Sequence, residues 1–309
     1  MKNLENLEVR NNPIVKIGEQ IGFPNSDVYA VLEYMNLGGS HKDRPVSRMI
    51  KNGIEAGDID ENTTVVDYTT GSAGISIARI CRAIGLKATL VMPSDITQER
   101  EDLIKEAGAK LILTDKTGWV RESVNTALEI YQSNPNHYLL NQSANPGNKD
   151  SFHDLAYGIL AHFKDGKPID YFIAASGTSA TVVGAAEVFK RYSPRTQIIA
   201  VDVSKSPSTW ALKHGQKFTH YPHRLYGTGA GAASPIATAG IGLIDEVYRV
   251  DDDEAYETCR ELIKNGIEIG PTSGANVMIT REILHQNPNA RIVTVFFDKA
   301  ERYKSKGLC

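Results

Sequence analysis

Lys42 lies where a strand-like segment gives way to a helix-like one. Residues 28–35 have the aromatic and β-branched content of a strand, Gly38 and Gly39 interrupt it, and a helix pattern follows from Pro45. A lysine at such a corner can point into a cleft, where desolvation lets its amine act as a nucleophile towards an aldehyde. A lone lysine in a turn is more often a solvated surface residue, so its surroundings decide the interpretation.

Four turns of small residues could provide those surroundings. They are TTGSAG at 69–74, SGTSAT at 176–181, GTGAG at 227–231 and GPTSG at 270–274. A small-residue turn that feeds a helix leaves backbone N–H groups free at the positive end of the helix dipole, which suits a carboxylate or a phosphate. One such turn alone is more often a plain helix cap. Two of them with a corner lysine predict an anionic substrate group and a phosphorylated cofactor in one cleft.

Strand-like runs alternate with helix-period segments along most of the chain, which is the pattern of parallel βαβ units. Strand patterns cover residues 64–68, 87–92, 110–113, 171–175, 197–201 and 291–297. Helix patterns cover residues 73–83, 98–107, 122–132, 150–163, 180–192, 253–264 and 275–284. A different block begins near residue 148. We therefore predict an α/β fold of two lobes with mostly parallel sheets and a ligand cleft between them.

Composition excludes several classes of protein. The chain has 309 residues, 41% of them hydrophobic and 23% charged, as in an ordinary globular protein with room for two domains. A net charge of −3 gives no support for a nucleic-acid or membrane partner. Cys81, Cys259 and Cys309 form no C-x-x-C, so we expect neither a disulfide framework nor structural zinc. With no signal-like N-terminus, these features predict a cytoplasmic protein.

Two other site patterns are rejected on the sequence. Gly227, Gly229 and Ala232 fit a dinucleotide-binding spacing, but the preceding segment 218–224 is polar and contains a proline instead of forming an apolar strand. His214, His220 and His223 lack the spacing of metal ligands on a helix, so no metal site is expected.

The ordered motifs resemble the fold type II pyridoxal-phosphate enzymes, which are tryptophan synthase β-like, and most closely the cysteine synthase and cystathionine β-synthase family. The resemblance runs from about residue 12 to residue 303. Residues 36–44, NLGGSHKDR, match the family's N-P-G-G-S-x-K-D-R, and residues 69–74 match its carboxylate loop T-S-G-N-T-G. Residues 177–181 match its phosphate loop G-T-G-G-T, and 270–274 match G-I-S-S-G. Residues 141–142 and 227–231 match its Asn-Gln pair and its G-I-G-A-G.

The resemblance implies a role for each matching residue. Lys42 is the catalytic residue, which carries pyridoxal 5'-phosphate as an imine and moves the Cα proton. The cofactor-binding residues are Lys42, Ser72, Gly177, Thr178, Ser179, Ala180, Thr181 and Thr272. The substrate-binding residues are Thr69, Thr70, Gly71, Ser72, Ala73, Gln142 and Gly229. It also implies a larger cofactor lobe at 1–39 and 148–309, a smaller mobile lobe at 40–147 that carries the carboxylate loop, and a homodimer.

The implied reaction is β-replacement on a serine- or cysteine-type amino acid through an aminoacrylate intermediate, with O-acetylserine or a related donor and sulfide or a thiol. Ser72 and Ala73 stand where the family has Asn and Thr, which leaves the donor open. The alternatives are β-elimination, as in a cysteine desulfhydrase or a serine/threonine dehydratase, and a cofactor-binding pseudoenzyme or regulatory partner. His223, Arg224 and Tyr226 are candidates for contacts with the outer end of the substrate, although a solvated loop is the more common role for such residues.

Overall fold

The structure is a computed structural model that describes residues 4–229 and 231–309, with Trp119 described for its backbone alone. Ala230 of the glycine segment and residues 1–3 of the larger predicted lobe lie outside the described residues.

Strands and helices alternate along the described chain. The strands are β1 Ile14–Lys16, β2 Asp27–Leu32, β3 Thr64–Tyr68, β4 Lys87–Pro93, β5 Lys110–Thr114, β6 His137–Leu139, β7 Tyr171–Ala175, β8 Gln197–Val203, β9 Glu246–Val250 and β10 Arg291–Phe296. The helices are α1 Asp43–Ala56, α2 Ser72–Ile84, α3 Gln98–Glu106, α4 Trp119–Gln132, α5 Pro146–Asp150, α6 His153–His162, α7 Ala180–Tyr192, α8 Ser208–His214, α9 Pro235–Gly240, α10 Asp252–Lys264 and α11 Pro271–Gln286. Short 3₁₀ turns cover Leu4–Leu7, Glu33–Met35, Lys116–Gly118, Ile241–Leu243 and Ala300–Lys306.

The strands form two sheets. One has six strands in the order β1-β2-β10-β7-β8-β9, and the other has four in the order β5-β4-β3-β6. Every pairing is parallel except that of β1 with β2. Parallel strands covered by helices on both faces are mostly apolar, and all six residues of β10 are buried, four of them apolar. The prediction of an α/β fold with two mostly parallel sheets is confirmed.

Each sheet has its own apolar core. The larger core packs β2, β7, β8 and β10 against α7 and α11, and the smaller packs β3 and β4 against α1 and α2. The strands of the four-stranded sheet all lie between residues 64 and 139, and the lobe boundaries at 39/40 and 147/148 stay a prediction. None of the helices in the described part is long and apolar enough to cross a membrane.

Local differences from the predicted elements have physical causes. The predicted strand 28–35 ends at Leu32, and a 3₁₀ turn follows in which Glu33 is buried and faces α1. Helix α1 begins two residues before Pro45, since proline is tolerated in the first turn of a helix. The predicted helix 150–163 is two helices, because the chain turns at Ser151 and Phe152.

Candidate active site

A single cleft is lined by residues from both sheets and encloses about 1070 Å³, including its open mouth. Most of the predicted site residues line it: Lys42, Thr69, Thr70, Gly71, Ser72, Ala73, Gln142, Gly177, Thr178, Ser179, Ala180, Thr181 and Thr272. Gly229 is the exception among the predicted residues. It is buried beside the cleft with a φ of 58°, and a Cβ there would lie 2.4 Å from Cγ1 of Val203.

An internal ion pair holds the corner that carries Lys42. Arg44 donates from Nε and Nη2 to the two carboxylate oxygens of Glu33, at 2.7 Å each. Both side chains are buried, so the pair fixes the end of β2 against the start of α1 on either side of the glycine turn. Burial lowers the pKa of Lys42 to about 8, so roughly a tenth of its amine is neutral at pH 7, far more than for an exposed lysine.

His41, next to Lys42, also lines the cleft. Its ring centroid lies 4.5 Å from that of Phe297 and 6.1 Å from that of Phe152. Its Nδ1 is buried and has no hydrogen-bond partner among the described residues. Burial, with a smaller contribution from the charge of Lys42, holds the pKa of His41 well below its usual range. The lysine amine therefore has a neutral imidazole beside it.

The predicted carboxylate loop, residues 69–73, connects β3 to α2, and its side chains are already engaged within the protein. Thr69 Oγ1 accepts from the N–H of Gly71 at 3.1 Å, and Thr70 Oγ1 donates to the carbonyl of Tyr226 at 3.2 Å. Ser72 Oγ donates to Asp298 Oδ2 at 3.0 Å and accepts from Arg302 Nη1 at 3.1 Å. The Ser72 hydroxyl is thus held at the edge of the cleft by the charged side chains of Asp298 and Arg302.

Two polar residues lie near the start of this loop, one just after β6 and one within β3. The Gln142 side-chain amide donates to the carbonyl of Tyr68 at 2.9 Å, which fixes Gln142 beside the start of the loop. Asp67, within β3, is fully buried, and burial raises the pKa of its carboxyl to about 7.

The predicted phosphate loop connects β7 to α7. Ser179 occupies the N-cap position of the helix with a left-handed φ of 62°, and the Ser234 hydroxyl donates to the carbonyl of Thr178 at 2.7 Å. A Cβ at Gly177 would lie 2.4 Å from the carbonyl oxygen of Gly227, so only glycine fits there without displacing backbone. The loop thus presents the first N–H groups of α7 to the cleft.

Other residues that line the cleft had no motif to reveal them. They include Arg100, Val120, Phe297, Asp298 and Tyr303. Of the three outer-end candidates, His223 and Tyr226 line the cleft. Arg224 is instead paired with Asp253, and its guanidinium lies 4.3 Å from the ring centroid of Tyr256.

The chain is similar to known proteins over nearly its whole length. A family model described as pyridoxal-phosphate dependent enzyme matches residues 6–298. Cysteine synthase B of Campylobacter jejuni is 34% identical over 301 residues, which cover 97% of this chain and 96% of that protein. The structure of the O-acetylserine dependent cystathionine β-synthase from Helicobacter pylori has a TM-score of 0.88 at 28% identity and covers 100% of this chain and 98% of that one. The structure of a hydrogen sulfide-producing enzyme from Fusobacterium nucleatum has a TM-score of 0.88 at 29% identity. The match covers 98% of this chain and 99% of that enzyme. These likenesses confirm the fold type that the motifs predict.

Proposed function

Because the chain belongs to the pyridoxal-phosphate dependent enzyme family, we propose that it catalyses cysteine synthase-like β-replacement on a serine- or cysteine-type amino acid. In this reaction the β-substituent leaves with its electron pair, and a sulfide or thiol forms the new bond to Cβ. The observation that carries the proposal is the desolvated amine of Lys42, in one cleft with two helix N-termini suited to anions.

The residues of the cleft fit the cofactor. The close approach of Gly177 to Gly227 leaves the N-terminus of α7 open to a phosphate, which Thr178, Ser179 and Thr181 can bind through their hydroxyl and N–H groups. Thr272, in the first turn of α11, offers a hydroxyl for the ring nitrogen. Pyridoxal phosphate, when bound, supplies an aldehyde that condenses with amines and a ring that delocalises negative charge from Cα.

Lys42 has two tasks in the proposed reaction. Its amine holds the cofactor between turnovers, and it then removes the Cα proton of the substrate and returns it at the end. An amine whose pKa is about 8 accepts and releases a proton readily near neutral pH. The neutral His41 beside it adds no positive charge that would lower the basicity of the lysine further.

The carboxylate loop positions the substrate. The N–H groups at the start of α2 face the cleft and can bind the α-carboxylate, while Gln142 closes the same side. The hydrogen bond between Thr70 and the carbonyl of Tyr226 links this loop to the segment before Gly227. Closure of the smaller lobe over the substrate would exclude water and favour replacement over hydrolysis.

The deciding experiment measures all products of one reaction. The purified protein is incubated with O-acetylserine, serine, O-phosphoserine or cysteine, with and without sulfide or a thiol, and pyruvate, sulfide and the substituted amino acid are quantified. The proposal expects the substituted amino acid to exceed pyruvate when the nucleophile is present. Pyruvate as nearly the sole product assigns β-elimination instead, and a bound cofactor without turnover assigns a binding protein.

A second experiment tests Lys42 itself. Borohydride reduction followed by peptide mapping should place the pyridoxyl group on the peptide that contains Lys42. Lys42→Ala should abolish the labelling, whereas Lys87→Ala, which changes an exposed lysine of β4, should leave it intact. A label on another lysine contradicts the assignment.

The two family departures, Ser72 and Ala73, are tested by restoring Asn and Thr there. Ser72→Asn removes the hydroxyl that bonds to Asp298 and Arg302, and it places an amide at the edge of the cleft. We expect the ratio of kcat/KM for O-acetylserine to that for the other donors to change. An unchanged ratio would show that these two positions do not select the donor.

The proposal includes a homodimer and the lobe division at 40–147. Light scattering coupled to size exclusion should give twice the mass of the chain. Hydrogen exchange with and without a bound amino acid should show slower exchange in the carboxylate loop, residues 69–73, on binding, and equal exchange contradicts closure of that lobe.

A further inference from the structure

One buried arginine differs from the others in the described part of the chain. Arg44, Arg100, Arg291 and Arg302 are all buried. Arg44 and Arg291 form ion pairs with carboxylates, and Arg302 donates to Ser72 and to the carbonyl of Gly38. Nε and Nη1 of Arg100 are buried without a hydrogen-bond partner among the described residues. A guanidinium stays charged at any physiological pH, so an uncompensated one in the interior is costly.

Arg100 lies directly beneath the carboxylate loop. A Cβ at Gly71 would be 3.3 Å from Nε of Arg100, so the guanidinium lies close to the place that a side chain would occupy where α2 begins. The side chain is held between the rings of Tyr226 and Tyr303, with its Cζ 4.9 and 4.7 Å from their centroids. Such rings orient a cation and attract it weakly, but they accept no strong hydrogen bond from the N–H edge.

Among the described residues, the charged groups around Arg100 pair with its neighbour Arg302 rather than with Arg100 itself. Arg302 is a second guanidinium in the same network, and its charge and that of Arg100 repel each other. Asp298 is one carboxylate there, and its Oδ2 accepts from Ser72 and from the hydroxyl of Tyr303. Asp43 is a second, and its charge also acts on Arg302. Arg302 thus has carboxylates that attract its charge, whereas Nε and Nη1 of Arg100 have no hydrogen-bond partner among the described residues, next to the positive end of α2.

We propose that Arg100 supplies the fixed positive charge of the substrate-carboxylate subsite. This inference rests on the proposed function, which puts the α-carboxylate on residues 69–73. The side chains of Thr70 and Ser72 are engaged within the protein, so the loop offers the carboxylate mainly backbone N–H groups, which carry no net charge. Arg100 provides that charge from below Gly71 through a medium of low dielectric constant. It therefore selects amino acids over amines or amides of the same shape.

The test is a binding measurement that needs no turnover. The pyridoxal-phosphate-loaded protein is titrated with L-alanine and with L-alaninamide, which differ in the carboxylate, and binding is followed by the absorbance of the cofactor. Neither ligand has a β-leaving group, so the result is independent of whether the reaction is replacement or elimination. We expect Arg100→Gln and Arg100→Met to lower the affinity for L-alanine at least tenfold. The affinity for L-alaninamide should fall less than twofold. Arg100→Lys, which keeps the charge, should retain most of the preference for L-alanine.

Arg82→Gln is the matched control, because Arg82 is an exposed arginine at the other end of α2 and should leave both affinities unchanged. If the neutral variants lower the affinity for both ligands equally, the proposal is overturned and the role of Arg100 is structural. If Arg100→Lys loses the preference for L-alanine over L-alaninamide, the proposal is overturned too. The Arg100→Lys result decides between the outcomes if the neutral variants fail to fold.

Discussion

The ion pair of Glu33 and Arg44 should be the costliest internal contact to break near Lys42. Arg44→Met leaves the Glu33 carboxylate buried, and the side-chain donors left to it among the described residues are the amides of Asn12 and Asn36, at 2.9 and 3.2 Å. It removes two charge-assisted hydrogen bonds, each contributing about 1.5–3 kcal/mol. Removing one partner of a buried pair costs about 3–5 kcal/mol. We expect a loss of that size in the free energy of unfolding.

Urea unfolding followed by circular dichroism measures this loss. The control lies on the same helix, where Arg48 pairs with Asp154 at 3.0 Å and both side chains are substantially exposed. Arg48→Met should cost about 0–1 kcal/mol, as exposed pairs do. Replacing both members of the buried pair, as Glu33→Leu with Arg44→Met, should cost less than Arg44→Met alone, because no unpaired charge remains. If Arg44→Met costs no more than Arg48→Met, the pair does not stabilise the corner.

Three further outcomes are expected. Gly177→Ala should lower the affinity for pyridoxal phosphate at least tenfold in equilibrium dialysis, because the added Cβ would lie 2.4 Å from the Gly227 carbonyl oxygen. Gly242→Ala, whose added Cβ would meet open space, should leave the affinity unchanged. The rate at which the apoprotein takes up pyridoxal phosphate should rise with pH through about 8, the pKa of Lys42, and a midpoint above pH 10 would contradict its desolvation. The pKa of Asp67 is raised from 3.8 to about 7, so the folded state binds the extra proton and its stabilising effect is lost as pH rises from about 4 to 7. Asp67→Asn should make that part of the stability profile less steep in urea unfolding, and Asp202, whose pKa is raised in the same way, should still contribute a slope of the same sign.

The parts of the fold that the sequence predicts are those with strong local patterns. The predicted bounds of β3, β7 and α7 agree with the structure to the residue, because buried parallel strands are rich in apolar residues and small-residue turns separate them from their helices. The edge strands β1, β6 and β9 were not predicted. They have three to five residues, most of them only partly buried, so they lack both an apolar run and a regular alternation.

Within the site, too, the sequence predicts features that depend on local patterns and misses those that depend on distant residues. The loops at 69–73 and 177–181 are predictable because a strand, a small-residue turn and a helix follow each other along the chain. The partners of Ser72 are not, because Asp298 and Arg302 are 226 and 230 residues away in sequence. A serine that replaces a family asparagine indicates a weaker contact with ligand, and only the structure shows that its hydroxyl is bound by the protein.

Arg100 shows why a buried charge is hard to find from sequence. Residues 98–102, QERED, have the composition of a solvent-exposed helix, and Glu101 on this helix does pair with Lys105 at the surface. Arg100 points inward because α3 packs beside the 3₁₀ turn Ala300–Lys306, where Tyr303 covers its guanidinium. No local pattern encodes that packing. That no described residue accepts a hydrogen bond from Nε or Nη1 of Arg100 is also a property of the assembled fold, and our proposal for this residue starts from that observation.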